Sequence, residues 1–136
     1  MKIEIQPDLE KARGIRKLIQ GRKEFVHAYG GKIFPTVICE NYYGVIKELA
    51  TALFLSRGIK FVGEYAHKEL IEETVKLLNL ERSLLSFLND FRIRRNGSLY
   101  YGEAFEKVYL ENNREKIEFL IRKIEERLNK QLGVEK

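Results

Sequence analysis

The sequence contains one cysteine, two prolines and no tryptophan among its 136 residues. Because Cys39 is the only thiol, an intramolecular disulfide and a metal site made of several thiolates from one chain are both excluded. The residues around Cys39 are mostly apolar, which predicts a small buried side chain and not a nucleophile. The low cysteine content also leads us to expect a cytoplasmic protein.

Long apolar runs are missing as well. No stretch approaches the roughly 18 consecutive apolar residues that a membrane span needs, and residues 1–7 are too polar for a secretory signal, so we expect no membrane partner. Gly30-Gly31 lacks the lysine and the serine or threonine of a phosphate-binding loop. His27 and His67 have no acidic ligand at a recognisable spacing, so we expect neither a cofactor nor a metal site.

Charged residues make up 33% of the chain and hydrophobic residues 44%, which is typical of one packed domain, here residues 1–136. The formal net charge is +5 at pH 7. Six basic residues and no acidic one occur between positions 11 and 23: Lys11, Arg13, Arg16, Lys17, Arg22 and Lys23. This stretch indicates either a positive surface for an anionic partner or a solvated helix face.

Apolar residues recur at helical spacing in five segments. The segments begin near Pro7-Asp8, at Pro35, and before Leu70, Leu84 and Val108. The sequence therefore predicts an all-α fold, an up-and-down bundle of about five helices. In the second helix, we expect Tyr42 in the core and Tyr43 at an interface. Gly14 and Gly21, seven residues apart in the first helix, predict close packing of another helix.

Polar chemistry is most concentrated in residues 91–102, between the fourth and fifth helical segments. Three arginines, Arg92, Arg94 and Arg95, precede Asn96-Gly97, which is a strong turn signal. Tyr100 and Tyr101 follow. Guanidinium groups bind phosphate, and phenols stack on bases or donate hydrogen bonds, so the stretch predicts an RNA or nucleotide ligand. The alternative is that the arginines cap the fourth helix and the tyrosines pack against the protein.

With these segments in this order, the chain resembles the HEPN domain family. Residues 41–58 are similar to the long central helix of that family, which ends at a glycine, here Gly58. Residues 64–71, which include His67, resemble the start of its third helix. Residues 95–102 lie where the family has an arginine, a polar residue and, four to six positions after the arginine, a histidine. The resemblance covers nearly the whole chain and implies a helical bundle that commonly forms a homodimer with the two polar motifs facing one another.

In active relatives the paired motifs form a metal-independent ribonuclease site, so the resemblance implies Arg95, Asn96 and Tyr100 as the catalytic positions. Tyr100 stands where the histidine is expected. A phenol with a pKa of about 10 is a poor base at pH 7, which indicates a catalytically degenerate site. The predicted ligand-binding residues are Arg92, Arg94, Arg95, Tyr101 and His67.

Three functions follow from these residues. The first is a HEPN domain that binds RNA or a nucleotide as a homodimer, in some relatives beside a minimal nucleotidyltransferase. The second is an active endoribonuclease toxin of a toxin–antitoxin pair, in which Tyr100 or His67 replaces the missing histidine. The third is a non-catalytic protein-interaction module, whose arginines would pair with acidic residues of another protein.

Overall fold

The computed structural model describes residues 1–32 and 34–134, which form five helices and two short strands. In chain order the elements are β1 (Lys2–Glu4), α1 (Leu9–Tyr29), α2 (Pro35–Ser56), β2 (Ile59–Phe61), α3 (Ala66–Leu77), α4 (Arg82–Tyr101) and α5 (Lys107–Leu132). The predicted all-α bundle of five helices is confirmed. The two strands were not predicted.

Helix α2 lies at the centre of the bundle, packed mainly between α1 and α5. Pro35 is its first residue, where a proline costs no helical hydrogen bond. Its buried residues occur around most of its circumference, as expected for a helix that neighbours cover on several sides. Cys39 is fully buried there, as its apolar surroundings predicted, and burial raises the pKa of its thiol to about 12.

Two packing expectations were wrong. Tyr43 was expected at an interface, but both Tyr42 and Tyr43 are buried within the chain. Gly14 and Gly21 were expected to admit another helix, but a Cβ atom at either position would have no neighbour within 4 Å, since both lie on the exposed side of α1. The close approach is instead at Gly44, where a Cβ would lie 2.9 Å from the guanidinium carbon of Arg22 on α1.

The strands pair antiparallel, with Ile3 opposite Lys60. Gly58 makes the bend between α2 and β2 with a left-handed φ of 77°, and its carbonyl accepts a hydrogen bond of 2.8 Å from the Ile5 amide. The terminal amine of Met1 pairs with the Glu69 carboxylate on α3. The sheet and this ion pair thus fix the beginning of the chain against α3, the helix whose first turn contains His67.

The turn expected at Asn96-Gly97 is also wrong, because α4 continues through both residues to Tyr101. Gly102, with a φ of 68°, ends the helix instead, and the Glu103 amide donates to the Gly97 carbonyl at 3.2 Å. A Cβ at Gly97 would lie 3.0 Å from the Glu103 carboxylate, so this glycine makes room for the chain that folds back over α4. The three arginines therefore lie inside a helix and do not cap its end.

Candidate anion-binding site

Four basic side chains from three helices converge on one face of the bundle. Lys47 comes from α2, His67 from the first turn of α3, and Arg92 and Arg95 from α4. We refer to these four residues as the cation cluster. The structure brings three of the residues predicted from the sequence into it, namely Arg92, Arg95 and His67. Lys47 had not been predicted.

Arg95 is held over the ring of Tyr43, with its guanidinium carbon 5.4 Å from the ring centroid. Only 2% of Tyr43 is exposed, and its ring meets Phe91 edge to face with the centroids 5.5 Å apart. A guanidinium over an aromatic face is stabilised by the charge distribution of the ring. Since the ring itself is fixed in the core, Arg95 has a rigid support and remains partly open to solvent.

The pKa shifts of the cluster show that its members repel one another. The pKa of His67 is lowered by burial first, and then by the charges of Lys47, Arg95 and Arg92. The pKa of Lys47 is lowered by burial first, then by the charge of Arg95, while the neighbouring Glu48 opposes the shift and Arg22 adds to it. Every charge that shifts His67 is positive, so the imidazole is kept neutral at pH 7 and the local potential favours an anion.

No member of the cation cluster forms an ion pair with a carboxylate in the part of the chain that the structure describes. Glu48, next to Lys47, is engaged by Arg22, whose Nε and Nη2 donate to it at 3.2 and 3.1 Å. The Nε atom of Arg92 is buried without a hydrogen-bond partner. A buried donor left without an acceptor costs free energy, which an anionic ligand or water would relieve.

Arg94 lies apart from the cluster. Its Nε donates to Asp90 Oδ2 at 2.8 Å, one helical turn earlier, and its guanidinium carbon lies 4.7 Å from the centroid of the Tyr109 ring. The hydrogen bond to Asp90 raises the pKa of Arg94. Of the three arginines predicted to bind a ligand, this one already has an anionic partner in the same helix.

The remaining predicted site residues lie elsewhere on α4. Tyr100 and Tyr101 are exposed near the end of the helix, and Asn96 is partly buried. At about 100° per residue, Tyr100 is displaced by roughly 140° around the helix axis from Arg95. Within one chain, therefore, the structure does not bring Tyr100 into the cation cluster.

Half of the basic residues in positions 11–23 are engaged in contacts between helices. Arg16 Nε donates to Asn129 Oδ1 at 2.6 Å, and Lys23 Nζ donates to Glu125 Oε1 at 2.8 Å, so both tie α1 to α5. Arg22 ties α1 to α2 through Glu48. For these three residues the basic charge serves packing between helices, while Lys11, Arg13 and Lys17 are exposed.

A larger groove, of about 490 Å³, lies between α1, α2 and α5. Its charged lining is balanced, with three basic and three acidic side chains: Lys23, Arg114, Arg122, Glu24, Glu118 and Glu125. The hydroxyl of Tyr42 lies 3.4 Å from Glu118, and burial followed by this carboxylate raises the pKa of Tyr42 to about 12. A balanced lining gives no preference for an anion, so the smaller, wholly basic cluster is the better candidate for phosphate.

Within residues 1–32 and 34–134, no group of three or more His, Cys, Asp or Glu side chains is arranged to hold a metal ion. Over the same residues, no helix is both long enough and apolar enough to cross a lipid bilayer.

Comparisons with protein-family models, with curated proteins and with solved structures find no match to this chain.

The sequence did contain a signal for Lys47. It is the only basic residue in positions 42–55, an otherwise mostly apolar segment, and it follows Tyr43 by four residues. Residues four apart share a helix face, so a lysine one turn beyond a tyrosine in a buried helix indicates a charge held at the edge of the core. The proximity of Lys47 to α4 depends on tertiary packing, which a local sequence pattern does not predict.

Proposed function

We propose that this chain is a HEPN-like domain that binds RNA or a nucleotide through Arg95 and the cation cluster, without cleaving it. The observation that carries the proposal is the convergence of four basic side chains from three helices, with no ion-pairing carboxylate among the described residues. Like charges held together raise the free energy of the folded chain. An anionic ligand would offset this repulsion.

Phosphate is the anion that best fits these donors. Arginine presents planar pairs of N–H groups that match phosphate oxygens, and lysine adds a compact charge. Arg95 also keeps its guanidinium on the Tyr43 ring, so part of the cost of ordering the side chain is met before the ligand binds.

The experiment compares Arg95→Ala with Arg94→Ala, a matched control in the same helix. We expect Arg95→Ala to weaken binding of a single-stranded RNA oligonucleotide at least about tenfold, equivalent to about 1.4 kcal/mol, because a charged hydrogen bond to phosphate is lost. Arg94→Ala should change affinity by less than about twofold, since Arg94 is paired with Asp90. Fluorescence anisotropy at low salt measures both affinities.

Salt provides a second measurement on the same variants. Each phosphate contact contributes about 0.7 to the slope of log affinity against log salt for single strands, so Arg95→Ala should lower the slope by about that amount. The proposal is wrong if the wild-type chain does not bind RNA or a nucleotide at low salt. It is equally wrong if Arg95→Ala binds as well as Arg94→Ala.

We further propose that the chain is a cytoplasmic homodimer, in keeping with its resemblance to HEPN domains. By the same resemblance, we propose a minimal nucleotidyltransferase as its protein partner. Support for the dimer comes from four large apolar or aromatic side chains exposed on the second half of α4: Ile93, Leu99, Tyr100 and Tyr101. These side chains project in several directions around the helix axis, so they leave the whole end of α4 apolar, and large exposed apolar surfaces commonly mark contacts. A contact there would place two copies of the helix that carries Arg95 beside each other.

Sedimentation velocity tests the dimer with two charge-introducing variants. Leu99→Glu should shift the protein to monomer, because a carboxylate would be buried without a partner in the contact. Leu18→Glu is the matched control, since Leu18 is 77% exposed on α1, away from α4. If Leu99→Glu and the wild type sediment alike, the end of α4 is not the contact.

A metal-independent endoribonuclease is the second candidate, and one observation favours it. His67 lies beside two arginines, and its lowered pKa keeps the imidazole neutral and able to accept a proton at pH 7. In this reading His67 takes the proton of the attacking 2′-hydroxyl, Arg95 stabilises negative charge that develops on the phosphate, and the leaving 5′-oxygen takes a proton from water. RNA that remains intact after long incubation with pure protein and a chelator would exclude it, whereas cleavage lost in His67→Gln but not in His27→Gln would establish it.

A further inference from the structure

We infer that Lys47 and His67 complete the cation cluster as one compact phosphate subsite, and that a phosphate bound there is accompanied by uptake of a proton at His67. The inference rests on the proposed function and deepens it, by giving Lys47 a direct contact with one phosphate and by assigning a proton at His67 to the binding step. It follows from the position of the imidazole among fixed cations.

His67 lies between two crevices, with basic groups on both sides. One crevice is a gap of about 10 Å³ with a mostly apolar lining, to which Lys47 and Tyr43 belong, so a phosphate would lie at its mouth and not inside it. The other, of about 170 Å³, is shared with Lys11 of α1 and Lys60 of β2. Lys11 and Lys60 thus line the second crevice together with His67, while Lys47 lines the first and is the one lysine among the charges of the described residues that shift His67.

On the remaining side α4 contributes Arg92 and Arg95, which both shift His67. The nearest acidic residue on its own helix, Glu69, is engaged by the terminal amine of Met1. His67 is the second residue of α3, so the positive end of that helix dipole also lies beside the imidazole, and among the residues that the structure describes no side chain caps this end. These surroundings disfavour the imidazolium as long as no anion is present.

A bound phosphate reverses this balance. Its negative charge favours the protonated imidazole, so the pKa of His67 rises on binding from its lowered value, and the complex holds more protons than the free components. The affinity for the phosphate must therefore increase as pH falls through the pKa that His67 has in the complex. It levels off once the pH is below the pKa that His67 has in the free protein. A phosphodiester does not titrate between pH 5 and pH 8, so any change of affinity with pH in this range comes from a group of the protein.

The experiment measures binding of a uridine oligonucleotide without a terminal phosphate between pH 5 and pH 8. For the wild type we expect affinity to be about five- to tenfold weaker at pH 8 than at pH 5. His67→Gln should vary by less than about twofold across the range. His27→Gln, the same substitution at the exposed histidine of α1, should behave as the wild type.

Two further measurements make the assignment specific. Calorimetry in buffers of different ionisation enthalpy should show uptake of a fraction of one proton at pH 7, which is absent in His67→Gln.

Lys47→Gln should reduce the slope of log affinity against log salt by about 0.7. Lys130→Gln, at an exposed position in the last turn of α5, should leave this slope unchanged. An unchanged slope in Lys47→Gln would remove Lys47 from the subsite.

The outcomes separate this inference from the proposed function. Binding that depends on Arg95 but has the same pH profile in the wild type and in His67→Gln would overturn the proton assignment and leave the proposed function intact. Binding that does not depend on Arg95 would overturn the proposed function itself.

Discussion

Cys39 shows how burial alone determines the chemistry of a side chain. The thiol is fully buried in α2, and the loss of solvation raises its pKa to about 12, with Glu40 adding to the shift and Arg114 opposing it. A thiolate is the reactive form, and at pH 8 only about one molecule in ten thousand would carry it at such a pKa. Neither its charge state nor its position permits attack on a substrate.

We therefore predict that Cys39 reacts with a thiol reagent only when the chain unfolds. At pH 8 the labelling rate of the native protein should be at least about a hundredfold slower than that of the urea-unfolded protein, because both access and deprotonation require opening of the bundle. The absorbance of the released chromophore measures the rate in both states. Rapid labelling of the native protein would show that α2 is more open than the structure indicates.

At the level of single elements, two glycines have opposite effects on stability: Gly14 lies in a helix, and Gly58 makes a bend. Gly14 lies in an exposed part of α1 with open space where a Cβ would be, so nothing in the structure requires a glycine there. Gly58 has a left-handed φ of 77°, and a Cβ would lie 2.7 Å from the Ile5 carbonyl oxygen. One glycine weakens its helix, whereas the other makes the bend that lets β2 pair with β1.

Alanine substitutions should therefore have opposite effects on the free energy of unfolding. Gly14→Ala should stabilise the protein by about 0.5–1 kcal/mol, because alanine loses less backbone entropy in a helix. Gly58→Ala should destabilise it by at least about 1–2 kcal/mol, through the left-handed backbone and the contact with Ile5. Urea denaturation followed by circular dichroism measures both, and a destabilising Gly14→Ala would mean that α1 packs against something at that face.

The elements differ in how well their sequences predict them. The five helices are long and carry regular apolar spacing, so they could be predicted, including the start of α2 at Pro35. The strands have three residues each, too few for an alternating pattern to be distinguished. Asn96-Gly97 suggested a turn because such pairs readily adopt positive φ, but here neither does, and Gly102 ends the helix.

The candidate site is a property of the whole molecule. Arg92 and Arg95 could be selected from the sequence because they stand in one dense segment. Lys47 and His67 precede Arg92 by 45 and 25 positions respectively, and only the packing of α2, α3 and α4 brings the four cluster residues together. The helical geometry of α4 separates Arg94 from Arg95, since adjacent residues on a helix point about 100° apart.

Stability is also unevenly distributed over the molecule. Helix α2 is covered by α1, α5 and the other helices, and most of its residues are buried. The last residues of α4 are exposed, and they include Leu99, Tyr100 and Tyr101. Amide hydrogens in the core of α2 should therefore exchange only on global unfolding, whereas those at the end of α4 in a monomer should exchange through local fraying.

Hydrogen exchange thus gives a direct test of the proposed homodimer. At concentrations where the wild type is dimeric, peptides that cover residues 99–103 should exchange at least about tenfold more slowly than in Leu99→Glu, because the contact would shield their amides. Peptides from α2 should exchange equally in both proteins as long as the variant is equally stable, and this serves as the internal control. Dilution of the wild type should remove the difference, since dissociation follows mass action. Fast exchange of residues 99–103 in both proteins at every concentration would show that the end of α4 remains solvent-exposed, and the apolar side chains there would then need another explanation than self-association.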